Sequence, residues 1–217
     1  MDIAFMAPTT PARGAWVVLA GSDGALGPTG SELDRHSGAA LRRAIADWGG
    51  DFKRGEAIEL RYPQGLELDR VLVLSLGKPE GTTRYDLETA GGSLAVRLKG
   101  LRVREASVAV EPVGGLAASP EELAISLATG ACLRAYRFDK YRTAKNAEDE
   151  QSEVARLTLH VAEPAAAEAA WRSAAAVIAG VSHGRDLVTE PANVLSPEAF
   201  AQVRGLIGML SLRDALD

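Results

Sequence analysis

Residues 70–99, RVLVLSLGKPEGTTRYDLETAGGSLAVRLK, decide the fold. Arg70–Leu76 is a short, β-branched apolar run of the length of a buried strand, and it ends at Gly77-Lys78. From about Tyr85 to Lys99 the pattern becomes helical. The same alternation extends outward on both sides. Strands are expected at Asp2–Met6, Trp16–Ala20, Ala57–Arg61, Ser107–Glu111 and Val154–Val161, with a helix at Gly38–Trp48. Ser119-Pro120-Glu121-Glu122 supplies an N-cap, a proline at the first helical position and a glutamate three residues after the cap, so a helix starts there and runs to about Ala135. Strands alternating with helices in this way predict an α/β protein with a mixed or parallel sheet covered by helices.

Later segments differ in character. Lys140–Ser152 has little apolar content and reads as an exposed loop. From Pro164 the chain becomes a long alanine-rich helix with Trp171, Ala174, Ala175, Ile178 and Val181 at helical spacing, a stripe suited to close packing. Composition leaves two readings equal: a linker helix leading to a further domain, or a terminal helix packed on its own domain.

A chain of 217 residues, 47% hydrophobic, has room for one good core and an appendage. Its net charge of -5 gives no electrostatic reason to approach nucleic acid or an anionic membrane. The single cysteine, Cys132, permits no internal disulfide and fits a reducing, cytoplasmic location, and its expected role is that of a small buried hydrophobe. Asp2 stands where a signal peptide would be basic, and charged residues break the apolar stretch Ala165–Val188, so neither a leader nor a membrane span is expected.

Several motifs resemble catalytic or binding signatures without completing them. Gly180-Val181-Ser182-His183-Gly184 has the G-x-S-x-G spacing of a nucleophile elbow, but it falls in the predicted helix and no histidine follows it. Gly21–Gly27 follows a strand and could wrap a phosphate. Its spacing is not G-x-G-x-x-G, and Pro28 is expected to block an immediate helix, so a mobile loop is the reading. Gly77-Lys78 lacks the P-loop's first glycine and its Ser/Thr, since Leu72 and Pro79 stand there. His36, His160 and His183 are scattered, and the acidic residues of Ala147–Glu153 read as a solvated loop, so no metal site is expected.

The stretch Gly184–Phe200, GRDLVTEPANVLSPEAF, reads physically as a helix end, a proline-enforced exit and a second helix capped at Ser196-Pro197. It closely resembles the segment joining the two domains of leucyl (cytosol) aminopeptidases. Leu33-Asp34, Leu74-Ser75-Leu76-Gly77-Lys78 and Tyr136-Arg137-Phe138-Asp139-Lys140-Tyr141 resemble other stretches of that family in order and spacing.

The resemblance implies a macro-domain-like, three-layer α/β fold over residues 1–162, with a mixed central sheet flanked by helices. A linker helix over 163–190 and the start of a catalytic domain over 191–217 would follow. In the family the catalytic domain holds two divalent metals, commonly zinc or manganese, that activate water to release amino-terminal residues from peptides. Their ligands lie in motifs resembling G-K-G-x-x-x-D-T-G-G and N-T-D-A-E-G-R-L, and neither occurs in these 217 residues. No catalytic, cofactor-binding or metal residue is therefore assigned to this chain. The run from Val203 to Leu212 departs from the family pattern, and Gly205 and Gly208 weaken a helix there by about 1 kcal/mol each. Both a disordered tail and an altered ending stay open.

The expected function is a non-catalytic amino-terminal domain serving assembly or regulation, with its own catalytic domain or other subunits as partners, self-association, and no activity alone. Two rivals stand beside it: a macro-like module binding ADP-ribose or another nucleotide near Gly21–Gly27, and a serine hydrolase using Ser182.

Overall fold

In the computed structural model, which describes residues 1–9, 12–49, 51–142 and 153–203, six strands form one sheet. They are β1 (Asp2–Met6), β2 (Ala15–Ala20), β3 (Ala57–Arg61), β4 (Arg70–Ser75), β5 (Glu105–Ala109) and β6 (Arg156–His160). Their order is β1-β6-β5-β2-β4-β3. Every pairing is parallel except β3 against β4, so the sheet is mixed, with its one antiparallel strand at an edge. The helices are α1 (Pro28–His36), α2 (Ala40–Asp47), α3 (Arg84–Gly100), α4 (Pro120–Ala135) and α5 (Pro164–Thr189).

Strand β2, inside the sheet, is apolar throughout because both of its faces are covered. Along β2, Val17 and Leu19 point into one core while Trp16, Val18 and Ala20 point into the other. The first core joins the sheet to Leu87, Ala90 and Leu94 of α3, Leu123, Leu127 and Ala131 of α4, and Ala167 at the start of α5. Leu33 of α1 and Leu41 of α2 fill the second with Phe52 and Leu68. This is the three-layer α/β architecture expected from the sequence. The sheet, α1–α4 and the first part of α5 lie in one unit, Met1–Ile178, and a second unit begins at Ala179.

Helix starts follow local chemistry. The Ser119 hydroxyl accepts from the Glu122 amide at 3.1 Å, and Pro120 takes the first helical position, as the sequence predicts. Thr83 and Asp86 form a reciprocal capping box at the head of α3.

One expectation is overturned. Pro28 does not block a helix after the glycine loop; it opens α1 as its first residue, because a proline there has no amide hydrogen to lose and its fixed φ already suits a helix. Strand β5 also ends at Ala109, two residues before the expected Glu111, since Glu111 leaves the ladder to bind α1. The greater part of the predicted loop Lys140–Ser152 and the tail beyond 203 fall outside the described residues.

Candidate functional site

The glycine loop between β2 and α1 tests the phosphate-cradle reading directly, since such a site needs free amide hydrogens. Here the amides of Gly21, Ser22, Gly24 and Gly27 donate to Ala25 O, Gly77 O, Gly21 O and Leu19 O, and that of Ala25 donates to Asp23 Oδ1. At the head of α1 the Thr29 amide donates to Glu111 Oε1 at 2.6 Å, and the Thr29 hydroxyl donates to Oε2 at 3.0 Å. A helix N-terminus attracts an anion, and the protein supplies its own. A methyl group at position 27 would lie 2.6 Å from Glu111 Oε1, so Gly27 is the residue that lets the carboxylate approach. Burial raises the Glu111 carboxyl above its ordinary range, a shift opposed by the Thr29 hydrogen bonds. The loop is thus a closed turn with its anion site filled from within.

Other flagged residues have structural surroundings. Ser182 lies in the middle of α5, with no strand leading into it. Gly77 adopts a φ of +79° and donates to the Ser75 hydroxyl, while the Arg54 side chain binds Leu76 O, Thr82 and Asp86. That strap fixes the end of β4 to the head of α3. Asp34, 5% exposed, accepts from the Arg42 amide at 3.0 Å and ion-pairs with its side chain, holding the first turn of α2. Arg137, just after α4, binds Asp139 and Glu153, and the rings of Phe138 and Tyr141 meet at 5.8 Å.

Burial raises the Cys132 thiol above its ordinary value, away from the thiolate a nucleophile needs. His36 and His183 are exposed, whereas His160 is buried and stacked on Trp16 with ring centroids 4.7 Å apart. Among the described residues no group of three or more His, Cys, Asp or Glu side chains could hold a metal ion. The described residues thus bring together no set of side chains of the kind needed for the two divalent metals that the resemblance places downstream.

Helix α5 is largely exposed, with Ala167 its one buried residue. Ala167 is fully buried and Trp171 leans on Phe5 at 6.1 Å, yet Val177 is 67% exposed. In the second unit, α5 ends at Thr189 and the chain turns through residues 190–196 into a further helical run at 197–203. Pro191 O accepts from the amides of Val194 and Leu195, and the Ser196 hydroxyl accepts from the Ala199 amide at 3.2 Å. The expected corner between two helices is present, and Val188, Val194 and Phe200 are exposed along it. No helix among the described residues is long and apolar enough to cross a membrane.

The family model described as "Cytosol aminopeptidase family, N-terminal domain" matches residues 17–145, which is more than half of the chain. The chain belongs to the cytosol aminopeptidase family. A probable cytosol aminopeptidase of Rhodopseudomonas palustris is 37% identical over 202 residues, covering 93% of this chain and 40% of the relative. One from Methylorubrum extorquens is 42% identical over 190 residues, covering 87% of this chain and 37% of the relative. This chain therefore corresponds to an amino-terminal part, about two fifths of the length of its cytosol aminopeptidase relatives. A mutant of tomato leucine aminopeptidase has the same fold, with a TM-score of 0.71 at 21% identity over 93% of this chain and 41% of that one. The bottromycin maturation enzyme BotP, solved in complex with Mn, matches with a TM-score of 0.61 at 23% identity over 91% of this chain and 36% of its own.

In the structure Leu33 packs in the second core and Asp34 holds the first turn of α2, Leu74 and Leu76 pack in the first core with Gly77 bonded to Ser75, and Arg137 and Phe138 make the ion pairs and ring contact given above. What sequence reasoning missed was Glu111, because its partner Thr29 is 82 residues away and no local pattern connects them.

Proposed function

We propose that this chain is the non-catalytic amino-terminal domain and connecting helix of a metal-dependent leucyl aminopeptidase, serving assembly or regulation and inactive alone. The proposed division is 1–162 for the α/β domain, 163–190 for the connecting helix and 191–217 for the first residues of the catalytic domain. The observation that carries the reading is the coverage: the chain spans almost all of itself but only about 40% of the relatives it matches. Exposure of Val177 on α5, and of Val188 and Phe200 in the second unit, supports it, because apolar residues of this kind suit contact with a further domain or subunit. Manganese in the BotP complex supports a metal-dependent reaction for the full-length protein. A cytoplasmic setting agrees with the single, half-buried cysteine.

The test is release of chromophore from a leucyl p-nitroanilide by the purified chain with and without added manganese. No turnover above buffer is expected in either case, and robust manganese-stimulated turnover refutes the reading. A chain that self-associates should elute ahead of a monomer of 22.8 kDa. Elution as a stable, fully protease-resistant monomer counts against a role in assembly.

A further inference from the structure

Where α3 and α4 end, their last turns border a cavity of about 440 Å³. Among its walls are Ala95, Val96 and Lys99 of α3, Arg134 and Ala135 of α4, and Val154 just before β6. Gly92, Ala95, Val96 and Lys99 recur at the three- and four-residue spacing of one helix face. Arg134 lies against that face, since a methyl group built on Gly92 would come within 3.6 Å of its Cβ. Lys99 stands two turns further along α3, about 10 Å away at about 1.5 Å per residue. Both side chains are long and flexible enough to meet a ligand seated between them.

The charges at this cavity do not balance. Lys99, Arg134 and Arg137 line it against one carboxylate, Glu153. Arg137 is already answered, with Nη1 2.7 Å from Glu153 and Nε 3.3 Å from Asp139. Lys99 and Arg134 are exposed, and neither forms an ion pair among the described residues. The negative ends of the two helices, about half a charge each, offset part of this pair and leave about one positive charge from these side chains unanswered. The remaining wall is apolar: Ala95 and Val154 are buried, and Val96 is 48% exposed.

A cation is repelled from such a site. A simple inorganic anion would leave the apolar wall bare in a cavity that exceeds the lower bound of about 300 Å³ for small-molecule pockets. A phosphate monoester carries nearly two charges and three acceptor oxygens, and the backbone groups at helix carboxyl ends are carbonyls, which cannot donate to it. A carboxylate needs one charge and suits the fork of a guanidinium group. We propose that this cavity binds a small organic carboxylate, its head between Lys99 and Arg134 and its apolar body against Ala95, Val96 and Val154. The site belongs to the α/β unit alone and stands or falls separately from the aminopeptidase reading.

The full chain is titrated with sodium 4-methylpentanoate at constant ionic strength while its backbone amide resonances are followed by NMR. Saturable shifts are expected, centred on residues 95–99, 134–137 and 154. Acetate has the charge without the body and should bind at least about tenfold more weakly, having lost several buried methylene groups. The 3-methylbutylammonium ion has the body with the opposite charge and should not bind. Arg134→Gln and Lys99→Gln should each weaken binding by about tenfold, as loss of a charge-assisted hydrogen bond does. Arg97→Gln, exposed in the same last turn of α3 but outside the cavity lining, should change it by less than about twofold, because solvent screens a distant surface charge. Shifts that never saturate, equal binding of acetate or of the ammonium ion, or an equal loss in Arg97→Gln mark diffuse surface charge and overturn the proposal. Tighter binding of 4-methylpentyl phosphate than of the carboxylate overturns the ligand class. Should a variant lose amide dispersion, the ranking of the ligands on the unaltered chain decides.

Discussion

Replacing Gly91 with alanine should destabilise the chain, although alanine is the better helix former. Helices α3 and α4 touch backbone to backbone: a methyl group at Gly91 would lie 2.8 Å from the Leu127 carbonyl carbon, and one at Gly130 would lie 2.5 Å from that of Glu88. Carbon contacts are optimal at about 3.5–4.0 Å, so the helices would have to part by about 1 Å. Neither obstacle is a flexible side chain that could swing away. Parting the helices also loosens Leu87, Leu94, Leu123 and Leu127, each no more than 1% exposed. Overpacking of this kind costs about 1–3 kcal/mol, and a backbone obstacle places it near 3. The alanine gains about 1 kcal/mol of helix propensity, leaving a net loss of about 2 kcal/mol. Gly92, its neighbour in the same helix, meets only ordinary contacts at 3.5 Å and beyond, so Gly92→Ala should be neutral or gain up to about 1 kcal/mol. With a urea slope of about 2 kcal/mol per molar, the first midpoint falls by about 1 M and the second rises by up to about 0.5 M. If both midpoints move in the same direction, or Gly91→Ala leaves the midpoint unchanged, the close-packing account fails.

Ser119→Ala removes the hydroxyl that accepts from the Glu122 amide and should cost about 1 kcal/mol, read from thermal or urea unfolding. Hydrogen bonds from the Thr83 backbone and side chain, with the Arg54 guanidinium nearby, hold the Asp86 carboxyl below its ordinary range. Its contribution is therefore present at neutral pH and is lost as pH falls through that lowered value. The stability gap between the unaltered chain and Asp86→Asn should close in acid, and a gap that widens would contradict the capping box. Cys132, its thiol raised by burial, should react with Ellman's reagent more slowly than free cysteine at neutral pH and recover full reactivity in urea.

The element types were legible where the chemistry is local. Ser119-Pro120 at the head of α4 and the proline corner after Thr189 announce themselves within a few residues, because caps and prolines act on their immediate backbone. The head of α1 was not legible. Pro28 is compatible both with a break and with the first position of a helix, and the choice depends on what satisfies the amide of Thr29. That group is Glu111, delivered from the end of β5 on the neighbouring strand.

The functional features divide in the same way. By itself the sequence determined the α/β class, the corner between two helices at Gly184–Phe200 and the absence of the two metal-binding motifs of the family from these 217 residues, since each is written in contiguous residues. Only the tertiary structure decided that the glycine loop is closed by its own hydrogen bonds and that Glu111 occupies the head of α1. It also decided that Gly91 and Gly130 are sites of helix contact. Sheet order and helix packing bring these groups together from distant parts of the chain, and a contact made by chain crossing leaves no periodicity to read.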